Sequence, residues 1–206
     1  MWESPRPSIK PQFAPRSHND VYPFIHPNKF RGALLDKVTI NTGSAGAIGQ
    51  ALAESFAVAG AKLVLTYNNT LPPTTLKERC LNLGASDVIF TKCNVAELKG
   101  CEDLLKQASV TFRDPVQFDL ILEKHVEDIL TNNAGANSLG LFDTQPPKAF
   151  IHELAVNLHG PYYLMHLLLP HFKSQRSGCV LNIASRAGTV TIPYSTGYCT
   201  SKARRR

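Results

Sequence analysis

Near the C-terminus Tyr198 precedes Lys202 by four residues, and Ser185 precedes the tyrosine by thirteen. Residues four apart on a helix share a face, so the lysine's charge lies beside the phenol and favours its anion. A phenol that ionises near pH ~10 in isolation thereby becomes an acid/base usable at neutral pH. A second chemical signal is Thr42-Gly43-Ser44-Ala45-Gly46-Ala47-Ile48-Gly49. Its glycines let the backbone approach a pyrophosphate, and a helix opening in the turn adds N–H donors and a positive dipole end. A glycine-rich turn also serves as a plain strand-to-helix connection, so its position must decide between the two readings.

That position is informative. Residues 37–41 read as a short buried strand entering the turn, and Ile48, Leu52 and Phe56 mark an amphipathic helix that ends near Gly60. Further strands are expected at 62–67, 87–93, 128–131 and 179–184, with helices at 76–83, 97–110 and 148–172. Strands alternating with helices predict an α/β fold of three layers, a Rossmann-type doubly wound parallel sheet covered on both faces. Residues 31–206 form this domain. Residues 1–30 hold six prolines and are expected to be an extended or disordered arm, laid along the domain by Tyr22, Phe24 and Ile25 where ordered. The stretch 113–127 is long for a helix-to-strand connection.

Composition narrows the classes. Hydrophobic content of 43% and charged content of 18% suit a soluble globular chain. The net charge of +6 is concentrated at the ends: residues 1–30 carry +2 and Arg204 to Arg206 carry +3, leaving +1 on the body. This argues against a nucleic-acid-binding face. Five cysteines show no CxxC pair and no metal-ligand spacing, which predicts reduced thiols, no metal and a cytoplasmic location. No apolar run is long enough to span a membrane.

Further motifs fall in order along the chain: Asn94-Val95, Asn132-Asn133-Ala134-Gly135, Asn157-Leu158-His159-Gly160, and Ser185 within Asn182-Ile183-Ala184-Ser185-Arg186-Ala187-Gly188. With the glycine turn and Tyr198-Cys199-Thr200-Ser201-Lys202, the region from Lys37 to Ala203 resembles the short-chain dehydrogenase/reductase family. The resemblance implies NAD(P)(H)-dependent interconversion of a carbonyl and an alcohol. It assigns the substrate proton to Tyr198, carbonyl positioning to Ser185, and tuning of the tyrosine plus a ribose contact to Lys202. It gives Asn157 a water linked to the lysine. Gly43, Ser44, Ala45, Gly46, Ile48 and Gly49 would hold the pyrophosphate, Asn94 and Val95 the adenine, and Asn133, Ala134 and Gly135 the adenosine ribose. A homo-oligomer is the family's usual state.

Pro161 offers a separate physical argument for Asn157. An α-helical N–H at 161 would bond the carbonyl of 157, so proline frees that carbonyl for a water. Cofactor choice turns on the end of the second strand, Thr66-Tyr67-Asn68-Asn69. It lacks the acid that would bind the ribose hydroxyls of NAD, which favours NADP(H), with Lys77 or Arg79 expected to reach the extra phosphate.

Three residue-level features depart from the family pattern. Ala47 stands where the middle glycine is usual, Asn41 is polar inside a buried strand, and 113–127 is long. Members also continue past the lysine into further strands, a substrate loop and much of the dimer interface. The resemblance therefore implies a C-terminally incomplete domain, a marginal final helix and an exposed fifth strand. Two readings stay open: an active carbonyl reductase or alcohol dehydrogenase, and an inactive remnant with weak dinucleotide binding.

Overall fold

The computed structural model describes residues 23–112 and 127–203. The long connection expected at 113–127, most of the proline-rich arm with Tyr22, and the terminal arginines fall almost wholly outside these residues.

Five strands form one parallel sheet in the order β3-β2-β1-β4-β5: β1 (Val38–Asn41), β2 (Lys62–Tyr67), β3 (Asp87–Lys92), β4 (Ile129–Asn132) and β5 (Cys179–Asn182). Strands buried on both faces carry apolar residues pointing both ways. In β2, Leu63 and Leu65 face one layer and Val64 the other, and all three are fully buried. The first layer holds α1 (Ala47–Val58) and α2 (Thr75–Leu83), packed through Ala53, Ala57, Leu76 and Cys80. The second holds α3 (Leu98–Phe112) and α5 (Gly160–Gln175), packed through Leu104, Leu105, Leu164 and Leu168. The chain winds outward from β1 to β3, then returns to lay β4 on the other side of β1. This reversal opens a crevice beyond the carboxyl ends of the strands.

The helix expected at 148–172 is three pieces: α4 (Pro147–Leu154), a π-helical turn (Ala155–His159), and α5. The Gly160 N–H bonds the Ala155 carbonyl, five residues back. The chain widens by one residue just before Pro161.

The arm also differs from expectation. Pro23–Ile25 and Pro27–Phe30 are short 3-10 turns, and Phe24 and Ile25 are exposed rather than laid on the domain. The attachment comes later, where the Leu34 N–H donates to the Ala59 carbonyl (2.9 Å) and Arg31 reaches the Leu83 carbonyl (3.4 Å). The fifth strand is at the sheet edge with all four residues exposed, Val180 and Leu181 among them.

Candidate active site

The glycine turn is held rigidly from below. Gly43 has φ +70, and a Cβ there would lie 2.8 Å from the Ala134 Cα, so both conformation and space demand glycine. Thr42 is the hub: its Oγ1 donates to the Thr131 carbonyl (3.2 Å) and accepts from the N–H groups of Asn133 and Ala134 (both 3.0 Å). The Asn133 amide donates to the carbonyls of Thr42 (2.8 Å) and Gly43 (3.1 Å). Asn133 thus clamps the turn onto the end of β4. Its amide protons are spent on this clamp, not on a ribose. Asn41 finds one of the partners its burial requires: Nδ2 donates to the Gly49 carbonyl (2.7 Å), tying the strand end to the first turn of α1, while its buried Oδ1 has no partner among the described residues.

Above this base lies a cleft of about 830 Å³ at the carboxyl ends of the strands. Gly43, Ala45, Gly46, Ile48 and Gly49 line one side, with Asn133, Ala134 and Gly135 beside them. Asn94 and Val95 lie at the β3 end, and Ser185, Tyr198 and Lys202 at the β5 end. The expected helical-stripe residue Ile48 is exposed at the cleft mouth instead of packing in the core. Ala47, in the place of the usual middle glycine, is the first residue of α1 and is exposed. The N-cap, Gly46, provides no side-chain hydrogen bond, leaving the first N–H groups of α1 to the cleft.

Two expected site residues do not line the cleft. Ser44 is fully buried, with its N–H on the Thr66 carbonyl (2.8 Å) and its hydroxyl on the Asn41 carbonyl (2.8 Å). Asn157 is also fully buried. Its Oδ1 accepts from the Ala136 N–H (2.9 Å), and its Nδ2 donates to the Ala136 carbonyl (2.8 Å) and Ser201 Oγ (2.9 Å). With both amide protons used, its side chain is a clasp that fixes α6 (Thr196–Ala203) from beneath. Asn94 lines the cleft, but its side chain also serves a turn, donating to Glu97 (2.8 Å) and accepting from the Ala96 N–H (3.2 Å).

The short α6 is better held than its length suggests. Ser201 and Lys202 are buried. Gly197 packs so closely on α4 that a Cβ would overlap the Glu153 carboxylate, and one at Gly188 would lie 2.7 Å from the Lys202 carbonyl. The expectation of a marginal helix treated it as isolated; tertiary contacts replace propensity here. Lys202 Nζ donates to the Ile183 carbonyl (2.9 Å) and sits 5.6 Å from the centre of the Tyr198 ring. Ser185 Oγ accepts from the Ala187 N–H (3.1 Å), which leaves its proton for another acceptor. Among the described lining residues Lys202 is the single formally charged side chain, and no carboxylate is present. That balance suits an anionic ligand.

The expected phosphate cations are placed elsewhere. Arg79 is held by Glu54 (2.8 Å), Gln50 (3.1 Å) and Thr75 (3.0 Å), and neither it nor Lys77 lines the cleft. Sequence reasoning also missed contributors. His152 and Val156 line the cleft, and Glu153 is buried, its Oε1 accepting from the Ser138 N–H. An acid inside an otherwise apolar helical stripe was the available signal for Glu153. Among the described residues, no group of three His, Cys, Asp or Glu is placed to hold a metal.

Comparison with known proteins gives the family. The model of the short chain dehydrogenase family matches residues 37–204. The chain belongs to the short-chain dehydrogenase family. It is 30% identical over 181 residues to an 11-beta-hydroxysteroid dehydrogenase-like protein of Arabidopsis thaliana, covering 87% of this chain and 56% of that one. A short chain dehydrogenase of Pseudocercospora fijiensis is 29% identical over 188 residues, covering 89% and 56%. The chain thus spans little more than half the length of these relatives. A metagenomic short-chain oxidoreductase, solved in complex with NADP, shares the fold with a TM-score of 0.71 at 24% identity, covering 82% of this chain and 70% of that one.

The residues present fit a dinucleotide. A Cβ at Gly46 would meet only the Gly43 carbonyl at 3.8 Å, so the backbone there faces open space over an uncapped helix end. Among the described residues no helix is long and apolar enough to cross a membrane.

Proposed function

We propose that this chain carries the catalytic site of an NAD(P)(H)-dependent oxidoreductase that interconverts a carbonyl and an alcohol. One observation carries the reading: Ser185, Tyr198 and Lys202 share a cleft with the glycine turn and the open end of α1. When bound, the dinucleotide supplies or accepts the hydride. The α1 N-terminus would hold the pyrophosphate, and Asn94 with Val95 would border the adenosine end.

In the reducing direction Tyr198 Oη donates a proton to the substrate oxygen. The Lys202 ammonium beside it opposes the negative charge left on the phenolate. The Ser185 hydroxyl donates to the same oxygen and orients it. Asn157 acts through Ser201 as a positioning residue. NADP(H) is the proposed cofactor because Asn68 and Asn69 stand where an acid would repel the extra phosphate. The NADP complex of the structural neighbour is consistent with this. With Arg79 held elsewhere, binding of that phosphate falls to neutral donors. Cysteines without a CxxC pair favour a reducing compartment, the cytoplasm, and a homo-oligomer follows the family's habit.

Fluorescence titration with NADPH and turnover of a carbonyl panel test the reading. Tyr198→Phe should retain dinucleotide binding and lose turnover. Undiminished turnover by this variant would remove Tyr198 from the mechanism, and failure of the unmodified chain to bind NADPH would overturn the proposal at its first step.

A further inference from the structure

We propose that Cys93 and Cys101 form a peroxide-oxidisable dithiol set into the wall of the cleft at its β3 end. Cys93 lines the cleft and is 4% exposed, whereas Cys101 is fully buried behind it. The segments that carry them pack closely where Gly100 meets Asn94. A Cβ at Gly100 would lie 2.5 Å from the Asn94 carbonyl oxygen, so glycine permits an approach that brings the flanking cysteines together. Cys93 Sγ lies 3.4 Å from the Gly100 carbonyl and Cys101 Sγ 3.7 Å from the Val95 carbonyl, each thiol reaching the segment that carries the other. Disulfides need this kind of backbone proximity.

The two thiols differ in a way that sets an order. A hydrogen bond from Cys101 pulls the Cys93 thiol below its ordinary range, against burial and the nearby Asp103. The same bond, then burial, pushes Cys101 up. Cys93, the residue at the cleft wall, is therefore the more acidic thiol and the first to be oxidised, and Cys101 is the partner that resolves it.

The chemistry balances with a hydroperoxide as oxidant. The Cys93 thiolate attacks one oxygen of hydrogen peroxide, the O–O bond breaks, and hydroxide leaves to become water. The resulting sulfenic acid is attacked by Cys101 sulfur, which loses its proton as the S–O bond breaks and a second water departs. Two thiols are oxidised to one disulfide while one peroxide is reduced to two waters. A small oxidant suits a thiol on a residue that is only 4% exposed. Asn94 and Val95 follow Cys93 directly, so the disulfide would stiffen the wall proposed to border adenosine. That last consequence rests on the dinucleotide reading; the dithiol itself does not.

The test uses the full chain, reduced, treated with hydrogen peroxide, alkylated and digested with trypsin. Cleavage after Lys92, Lys99 and Lys106 places the cysteines in separate peptides, 93–99 and 100–106. The expected product is this pair joined, lighter by two hydrogens and separated by reductant. Cys101→Ser should stop at a Cys93 sulfenic acid captured by a 1,3-dicarbonyl reagent. Both thiols remaining alkylatable while exposed Cys179 is oxidised would overturn the proposal. So would joining of either cysteine to Cys179 or Cys199 instead. The wild-type chain alone decides this, whatever the folding of the variant. Saturating NADPH should slow the joining. If NADPH binds by fluorescence and the rate is unchanged, the thiols do not lie behind the dinucleotide and the cleft-facing placement fails. If NADPH does not bind at all, the functional reading fails and the joined peptides still decide the dithiol.

Discussion

Replacing Asn157 tests whether the clasp beneath α6 holds the site together. Asn157→Ala removes three hydrogen bonds and leaves the Ala136 N–H and carbonyl without their partner. At roughly 1 kcal/mol for each bond lost at a site that water can partly reach, the cost is ~3 kcal/mol. For a chain of this size that lowers Tm by about 6–12 °C, a large part of a total stability of ~5–15 kcal/mol. Asn157→Asp separates charge from shape. It keeps an acceptor for the Ala136 N–H but turns its other oxygen toward the Ala136 carbonyl and Ser201 Oγ. Ser201 already donates to the Tyr198 carbonyl (2.8 Å), so it has no proton for a carboxylate. The introduced acid should therefore be harder to ionise in the folded chain than in the unfolded one, where its pKa is about 3.9. Its protonated form can donate to one of the two acceptors. The sign follows: stability of Asn157→Asp relative to wild type is best below about pH 4 and falls as pH rises toward neutrality. Asn157→Ala shows no such trend. Urea unfolding followed by circular dichroism at acid and neutral pH measures both, and hydrogen exchange at the Ala136 amide reports the clasp directly. An Asp variant as stable as wild type at neutral pH would refute the reasoning. So would an Ala variant within about 0.5 kcal/mol of wild type, the range of an ordinary surface substitution.

Three further outcomes are expected. Gly49→Ala places a methyl against the Gly43 carbonyl and 2.8 Å from the Ser44 Cα, both backbone, so overpacking of ~1–3 kcal/mol should exceed the helix-propensity gain and weaken NADPH binding; urea midpoints and titration measure the two effects. Asn68→Asp should shift preference from NADPH toward NADH, read as the ratio of the two dissociation constants, and an unchanged ratio would remove the end of β2 from cofactor choice. Burial, then the Glu54 charge, pushes Cys80 up to about 11. The folded chain then keeps a proton that the unfolded chain loses above pH ~8.5, so up to ~3 kcal/mol is lost as pH rises toward 11, and Cys80→Ala should flatten this alkaline slope in urea midpoints.

The sheet was legible because parallel strands buried on two faces carry dense apolar runs, as β2 does with Leu63, Val64 and Leu65. The glycine turn was legible because its position after such a run has few alternatives. What stayed hidden were choices of partner. Asn133 and Asn94 were rightly placed at strand ends, yet their side chains close turns, and only the fold shows which backbone groups lie within reach. Arg79 was expected to seek phosphate, but Glu54 and Gln50 lie nearer across the α1–α2 contact. The π-helical turn left one trace, Pro161, and a proline says that a hydrogen bond is missing without saying how the chain rearranges around the gap.

The final helix makes the same point about energetics. Eight residues with Gly197, Ser201 and Lys202 on the inner face have little reason to be helical alone. Those residues are nonetheless what fixes α6. Gly197 lets it approach Glu153, Ser201 is held by Asn157, and Lys202 reaches the Ile183 carbonyl just beyond β5. Polar groups that would weaken an isolated helix become its anchors once buried with partners. The position of Tyr198 is consequently set by the neighbours of the groups proposed to do chemistry beside it. Lys202 belongs to both sets: its ammonium secures the helix to the strand end and lies against the tyrosine ring. A ligand that binds the cleft and engages Lys202 only when α6 is docked would stabilise that docking, so order in this helix and occupancy of the cleft would be coupled equilibria.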